Sequence, residues 1–111
     1  MITIEGLREF GADVDTGLSR CLNKEDFYLK MVNMGLADKR FDELGDVLKE
    51  KNLDTAFEIC HALKGVIGNL ALDPMYVKIC EITELLRARQ DADYLPMYEE
   101  IKAGRAKLLS M

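Results

Sequence analysis

The stretch Asp54-Thr55-Ala56-Phe57-Glu58-Ile59-Cys60-His61-Ala62-Leu63-Lys64-Gly65-Val66-Ile67-Gly68-Asn69-Leu70-Ala71-Leu72 decides the fold of this chain. At about 100° per residue, the helical period divides it into two faces. Ala56, Ile59, Leu63, Val66, Ile67 and Leu70 form an apolar stripe, the pattern of a helix that turns one side to a core. His61 points away from that stripe, and Lys64, Gly65 and Gly68 lie within about 60° of it. Phe57 falls about 40° from His61, and Asp54 and Glu58 share the same side. Asn52 or Asp54 supplies an N-cap side chain for this helix, the longest expected in the chain.

Helix signals continue on both sides of it. Thr3 is positioned to cap a short segment carrying Ile4, Leu7 and Phe10, which Gly11 ends. Asp13 or Asp15 opens a second, with Val14, Leu18, Cys21 and Leu22 on one face. Phe27, Met31 and Met34 mark a third that runs to Gly35, and Phe41, Leu44, Val47 and Leu48 a fourth. Beyond the central stretch, Asp73-Pro74 signals a stop and restart, with Asp73 as the expected cap and Pro74 in the first turn. Met75, Ile79, Ile82, Leu85 and Leu86 then make a stripe to about Arg89. A last helix follows Asp93, with Leu95, Tyr98, Ile101, Ala106 and Leu109 as expected core positions. Short connections between amphipathic helices favour antiparallel neighbours, so the expected architecture is an all-α, up-and-down helical bundle.

The 111 residues leave room for one domain, spanning 1–111, and 49% apolar residues are enough for a real core. A net charge of −5 argues against nucleic acid and anionic membrane surfaces, both of which call for a basic stripe. No apolar run approaches the roughly 20 residues that cross a bilayer. The start, Met1-Ile2-Thr3-Ile4-Glu5, lacks the basic-then-apolar build of a signal peptide, so the cytoplasm is the expected compartment. Cys21, Cys60 and Cys80 are odd in number and widely spaced, with one histidine in the chain, and read as reduced, mostly buried thiols. A structural metal site is not expected.

The outward face of the central helix carries the chemistry. A solvent face is ordinarily filled with good helix formers, yet two positions are glycine, each costing about 1 kcal/mol relative to alanine. Small residues beside His61 leave the imidazole open to a macromolecule, and Phe57 adds an aromatic that such a partner would meet. Neutral imidazole is a nucleophile toward phosphorus, and the Lys64 ammonium, one turn away, suits the charge on phosphoryl oxygens. A hydrolase triad is not expected, since Cys60 lies about 100° around the helix from His61.

The run His61-Ala62-Leu63-Lys64-Gly65-Val66-Ile67-Gly68-Asn69-Leu70 resembles the H-x-L-K-G signature of histidine-containing phosphotransfer (HPt) domains. The likeness extends from Phe57 through Arg87, with Cys80-Glu81 on the following helix, and resembles that family's central hairpin. It implies a four-helix bundle, here with additional short N-terminal helices. It further implies that His61 is the phosphoacceptor, that Lys64 stabilises the phosphoryl group, and that Gly65 and Gly68 give access to it. Phe57 and Glu58 would join Gly65 and Gly68 in docking the partner. That partner is the receiver domain of a response regulator or a hybrid histidine kinase, whose acidic pocket supplies Mg²⁺. This chain would bind no cofactor of its own, would work as a monomer, and would be a phosphoryl carrier rather than a kinase. Consistent with the last point, it has no GxxxxGK[ST] loop. Ile67 stands where many members carry a small residue and Ala71 where glycine is common. Thr83 and Arg87 are both candidates for a polar helper on the following helix.

Two other readings compete. A helical adaptor would bind a receiver or kinase through the same face without chemistry. A metal or redox sensor would need Cys60, His61 and Cys21 or Cys80 to converge.

Overall fold

The computed structural model describes residues 1–111 as seven helices and no strand. They are α1 (Ile4–Phe10), α2 (Val14–Arg20), α3 (Glu25–Leu36), α4 (Arg40–Lys49), α5 (Leu53–Asn69), α6 (Asp73–Arg87) and α7 (Tyr94–Leu109). None is long and apolar enough to cross a membrane. Local chemistry sets several boundaries. The Thr3 hydroxyl accepts from the Gly6 N–H at 3.0 Å, and Gly11 closes α1 in the left-handed region at φ 104°. The Asp13 carboxylate accepts from the Thr16 N–H and hydroxyl, and these bonds hold its carboxyl below the usual carboxylate range. Asn52 caps α5 through the Thr55 N–H at 3.2 Å.

Helix α5 packs on α4 and α6, α6 packs on α7, and α7 returns to α4. These four helices enclose most of the core, where Phe41, Leu44, Leu63, Ile67, Ile79, Ile82, Leu86 and Ile101 are fully buried. The segments α1–α3 lie against this group, α1 and α3 both touching α7. The end of α3 meets the end of α5, where Gly35 lies against Leu70 and Val66.

Several faces differ from the sequence expectation. On α3 the buried row is Tyr28, Val32 and Leu36, while Phe27 is 46% and Met34 57% exposed. Two apolar rows lie about 100° apart on this helix. The inward one holds Tyr28, whose hydroxyl donates to the Leu70 carbonyl at 2.7 Å. Leu22, expected on the core face of the second helix, lies beyond the end of α2 with φ 57° and is 76% exposed. On α7, Tyr98 and Ile101 point inward as expected, but Leu95, Ala106 and Leu109 are exposed and Tyr94 and Leu108 take their places. The Tyr98 hydroxyl donates to the Phe41 carbonyl at 2.9 Å, a bond that fixes the rotation of α7. Asp73 is not a cap: it lies within the first turn of α6, preceded by Leu72, with Pro74 beside it in that turn. On α5 the core face is rotated toward Cys60, which is fully buried, while Ile59 and Val66 are only half-buried.

Close approach of helices depends on glycine at particular points. A Cβ at Gly17 of α2 would lie 2.5 Å from the ring of Tyr28, which is fully buried and tied down by its hydroxyl. Gly17→Ala therefore lowers stability by about 1–3 kcal/mol even though alanine is the better helix former. The measurement is a urea unfolding curve, with a lower midpoint at unchanged slope expected. A midpoint equal to or above the parent's would show that the ring is free to move.

Candidate functional site

Helix α5 starts at its Asn52 cap and presents His61 in its middle, exposed to solvent, opposite the buried Ala56, Leu63 and Ile67. Its C-terminal end is held from outside the helix. The last carbonyls of a helix have no partner within it and need donors from elsewhere. One guanidinium nitrogen of Arg20, at the end of α2, donates to the Gly68 carbonyl at 2.7 Å and the Asn69 carbonyl at 3.1 Å. The Leu70 carbonyl takes the Tyr28 hydroxyl, and the Ala71 carbonyl takes the Asp13 N–H at 2.9 Å. Ala71 itself turns the chain in the left-handed region at φ 59°, a conformation that glycine adopts without strain.

These contacts enclose an open cavity of about 500 Å³ between α2, α5 and the start of α6. Its walls include His61, Lys64, Gly65, Arg20 and Tyr76. Lys64 is half-buried, and none of the five ion pairs in the chain involves it or His61. Helical side chains lean toward the N-terminus, which is the direction of His61 from Lys64.

On the other flank of His61 the Phe57 ring lies 5.8 Å from the imidazole, centroid to centroid, at an interplanar angle of 38°. The guanidinium carbons of Arg87 and Arg89 lie 5.0 and 5.3 Å from the centre of that same ring. Both arginines are also paired, Arg87 with Glu84 at 3.2 Å and Arg89 with Asp54 at 2.7 Å. Arg87 therefore reaches the imidazole's neighbourhood through Phe57. Glu58 is exposed and makes no ion pair.

Thr83 does not join this group. It is fully buried in α6, donates its hydroxyl to the Ile79 carbonyl at 2.6 Å, and lies against the Cys60 thiol on the core side of α5. Burial pushes that thiol up to about 12, so Cys60 stays protonated and inert. Cys21 is also buried and Cys80 half-buried, all three being free thiols. No group of three or more His, Cys, Asp or Glu side chains converges as a metal site would require.

The two glycines of the His61 face differ in kind. A Cβ at Gly65 would meet nothing within 4 Å, whereas a Cβ at Gly68 would lie 2.7 Å from the Tyr76 ring. Gly68, expected as bare surface, is covered by the protein's own aromatic. Sequence reading did not find Tyr76 or Arg20, because neither shares a helix with His61 and no spacing links them to it.

No protein-family model, no curated protein and no solved structure matches the chain.

An exposed nucleophilic ring, a neighbouring unpaired ammonium and an open glycine make a surface on which a group can be transferred without a second catalytic side chain. Gly65→Ala is expected to leave thermal stability unchanged or raised by up to about 1 kcal/mol. Gly68→Ala should be less stable than Gly65→Ala, because the Tyr76 ring has to move. Equal melting curves for the two variants would remove the distinction drawn between these glycines.

Proposed function

We propose that this chain is a histidine phosphotransfer protein of a two-component phosphorelay, in which His61 accepts a phosphoryl group from the aspartate of a receiver domain and returns it to another. The fold that goes with this reading is an up-and-down four-helix bundle of α4–α7, with α1–α3 as the additional N-terminal helices. The observation that carries it is the exposed His61 in mid-α5, with Lys64 beside it and open space at Gly65, directly behind a fully apolar core face. The H-x-L-K-G resemblance, carried by the same residues, agrees with it.

In the transfer, a lone pair on one imidazole nitrogen attacks the phosphorus of the receiver's aspartyl phosphate. The N–P bond forms, the P–O bond to the carboxyl breaks, and the aspartate leaves as a carboxylate. The other ring nitrogen keeps its proton. Charge is conserved without a general base, so one imidazole is sufficient on this side. Phosphoryl transfer depends mainly on positioning and on cations around the phosphoryl oxygens. Here the rigid helix positions the ring, and the Lys64 ammonium is the cation this chain contributes. The Mg²⁺ belongs to the receiver's acidic pocket, and the setting would be the cytoplasm. The docking face would comprise Phe57, Glu58 and the backbone at Gly65.

The test charges a panel of receiver domains with a small phosphodonor and mixes each with the protein. Acid-labile, alkali-stable phosphate is expected on the wild type and absent from His61→Gln, with both equally helical. Lys64→Ala should slow transfer about ten-fold or more while folding normally. Receivers that bind this protein but never label it would replace the phosphotransfer reading with that of a non-phosphorylated adaptor.

A further inference from the structure

Gly68 and Tyr76 together describe a feature of the site that bare-backbone access leaves unexplained. Tyr76 lies in the first turns of α6, half-buried, and its ring rests on the α5 backbone at Gly68, two turns beyond His61. A Cβ at Gly68 would stand 2.7, 3.1 and 3.5 Å from Cε1, Cδ1 and Cζ of that ring. The Cys80 thiol, one turn along α6, pushes the phenol above the ordinary tyrosine value. The ring is thus seated on Gly68, while Tyr76 remains on the wall of the cavity that contains His61.

We propose, resting on the phosphotransfer reading, that Tyr76 is the residue against which a docked receiver packs and that it sets which receivers are accepted. Gly65 is open and Gly68 is roofed, so a partner approaching the imidazole meets bare helix one turn beyond it and an aromatic ring two turns beyond it. Tyrosine offers large contact area for the loss of only two side-chain torsions, which is why truncating it is costly at interfaces. Here those torsions are restrained before docking, so the ordering cost is lower still. A receiver surface with an apolar contact at the position facing Tyr76 is accepted. One with a bulky or charged group there is held away from His61. In this chain Gly68 thus serves docking indirectly, by seating the ring.

The experiment measures transfer from the receiver that labels the wild type best, with KM and kcat determined separately. The variants are Tyr76→Phe, Tyr76→Leu, Tyr76→Ala, Gly68→Ala and the Gly68→Ala/Tyr76→Ala double, each checked for folding by thermal melting. Tyr76→Ala is expected to raise KM for the receiver about ten-fold with kcat within about two-fold, a split that ring filling alone would not produce. Tyr76→Phe, which keeps the ring, stays near the wild type. If Tyr76→Ala fails to fold, Tyr76→Leu carries the same expectation. Gly68→Ala also raises KM, because it displaces the ring, and the double variant is no worse than Tyr76→Ala alone. An unchanged KM in Tyr76→Ala or Tyr76→Leu overturns the proposal. So does a double variant well below Tyr76→Ala, since the receiver would then need Gly68 itself to be bare. Either failure with a labelled wild type leaves phosphotransfer standing, whereas a wild type that no charged receiver labels overturns both.

Discussion

Four carbonyl groups at the end of α5, from Gly68 to Ala71, find donors in α2, α3 and the turn before α2. Arg20 serves Gly68 and Asn69, Tyr28 serves Leu70, and the Asp13 N–H serves Ala71. The Leu70 carbonyl is buried, and leaving it without a partner would cost about 1–3 kcal/mol, whereas the two Arg20 bonds are exposed. Together these bonds attach the N-terminal helices to the helix that bears His61. They also place Arg20 at one end of the His61 cavity, whose floor is α5 and whose sides are α2 and α6. Without them the end of α5 would fray, and the cavity would lose one wall.

Three tyrosine rings extend the same logic. Each lies across a glycine on a neighbouring helix: Tyr28 on Gly17, Tyr98 on Gly45 and Tyr76 on Gly68. In the first two the ring is buried and its hydroxyl reaches a carbonyl of another segment, Leu70 or Phe41. Burial pushes the Tyr28 phenol up to about 12, so the donor is retained throughout the working pH range. In the third the ring stays at the surface. That difference separates a packing device from a surface feature, although the local geometry is alike.

The charged groups around His61 divide in a similar way. Arg87 and Arg89 are occupied by Glu84, Asp54 and the face of Phe57. These are exposed pairs, worth little to stability, but they neutralise the cations on that flank and brace the aromatic beside the imidazole. Lys64 has no such partner and lines the same cavity as His61. The free ammonium and the exposed ring share one face of a helix whose opposite face is buried in the core.

Much of this was legible in the residues alone. The cap at Thr3 and the stop at Gly11 are local interactions, completed within three or four residues, so spacing reveals them, while it left Asp13 beside Asp15 and Asn52 beside Asp54 as alternatives that the structure resolves. The exposure of His61 and the grouping of Lys64, Gly65 and Gly68 follow from helical periodicity over the 17 residues of α5, long enough for one face to dominate. The inward row of α3, and all of that of α7 except Tyr98 and Ile101, differ from the sequence expectation because each helix carries competing apolar rows. The choice between them rests on Tyr28 reaching Leu70 and Tyr98 reaching Phe41, partners 42 and 57 residues away. Thr83 looked available as a helper because its polarity is visible in sequence and its burial against Cys60 is not. Sequence by itself thus determined an all-helical chain with one histidine facing outward, since those properties depend on period and propensity. Only the tertiary structure decided that Gly65 is open and Gly68 covered, and that Arg20 and Tyr76 border the site, because these facts depend on which helices touch.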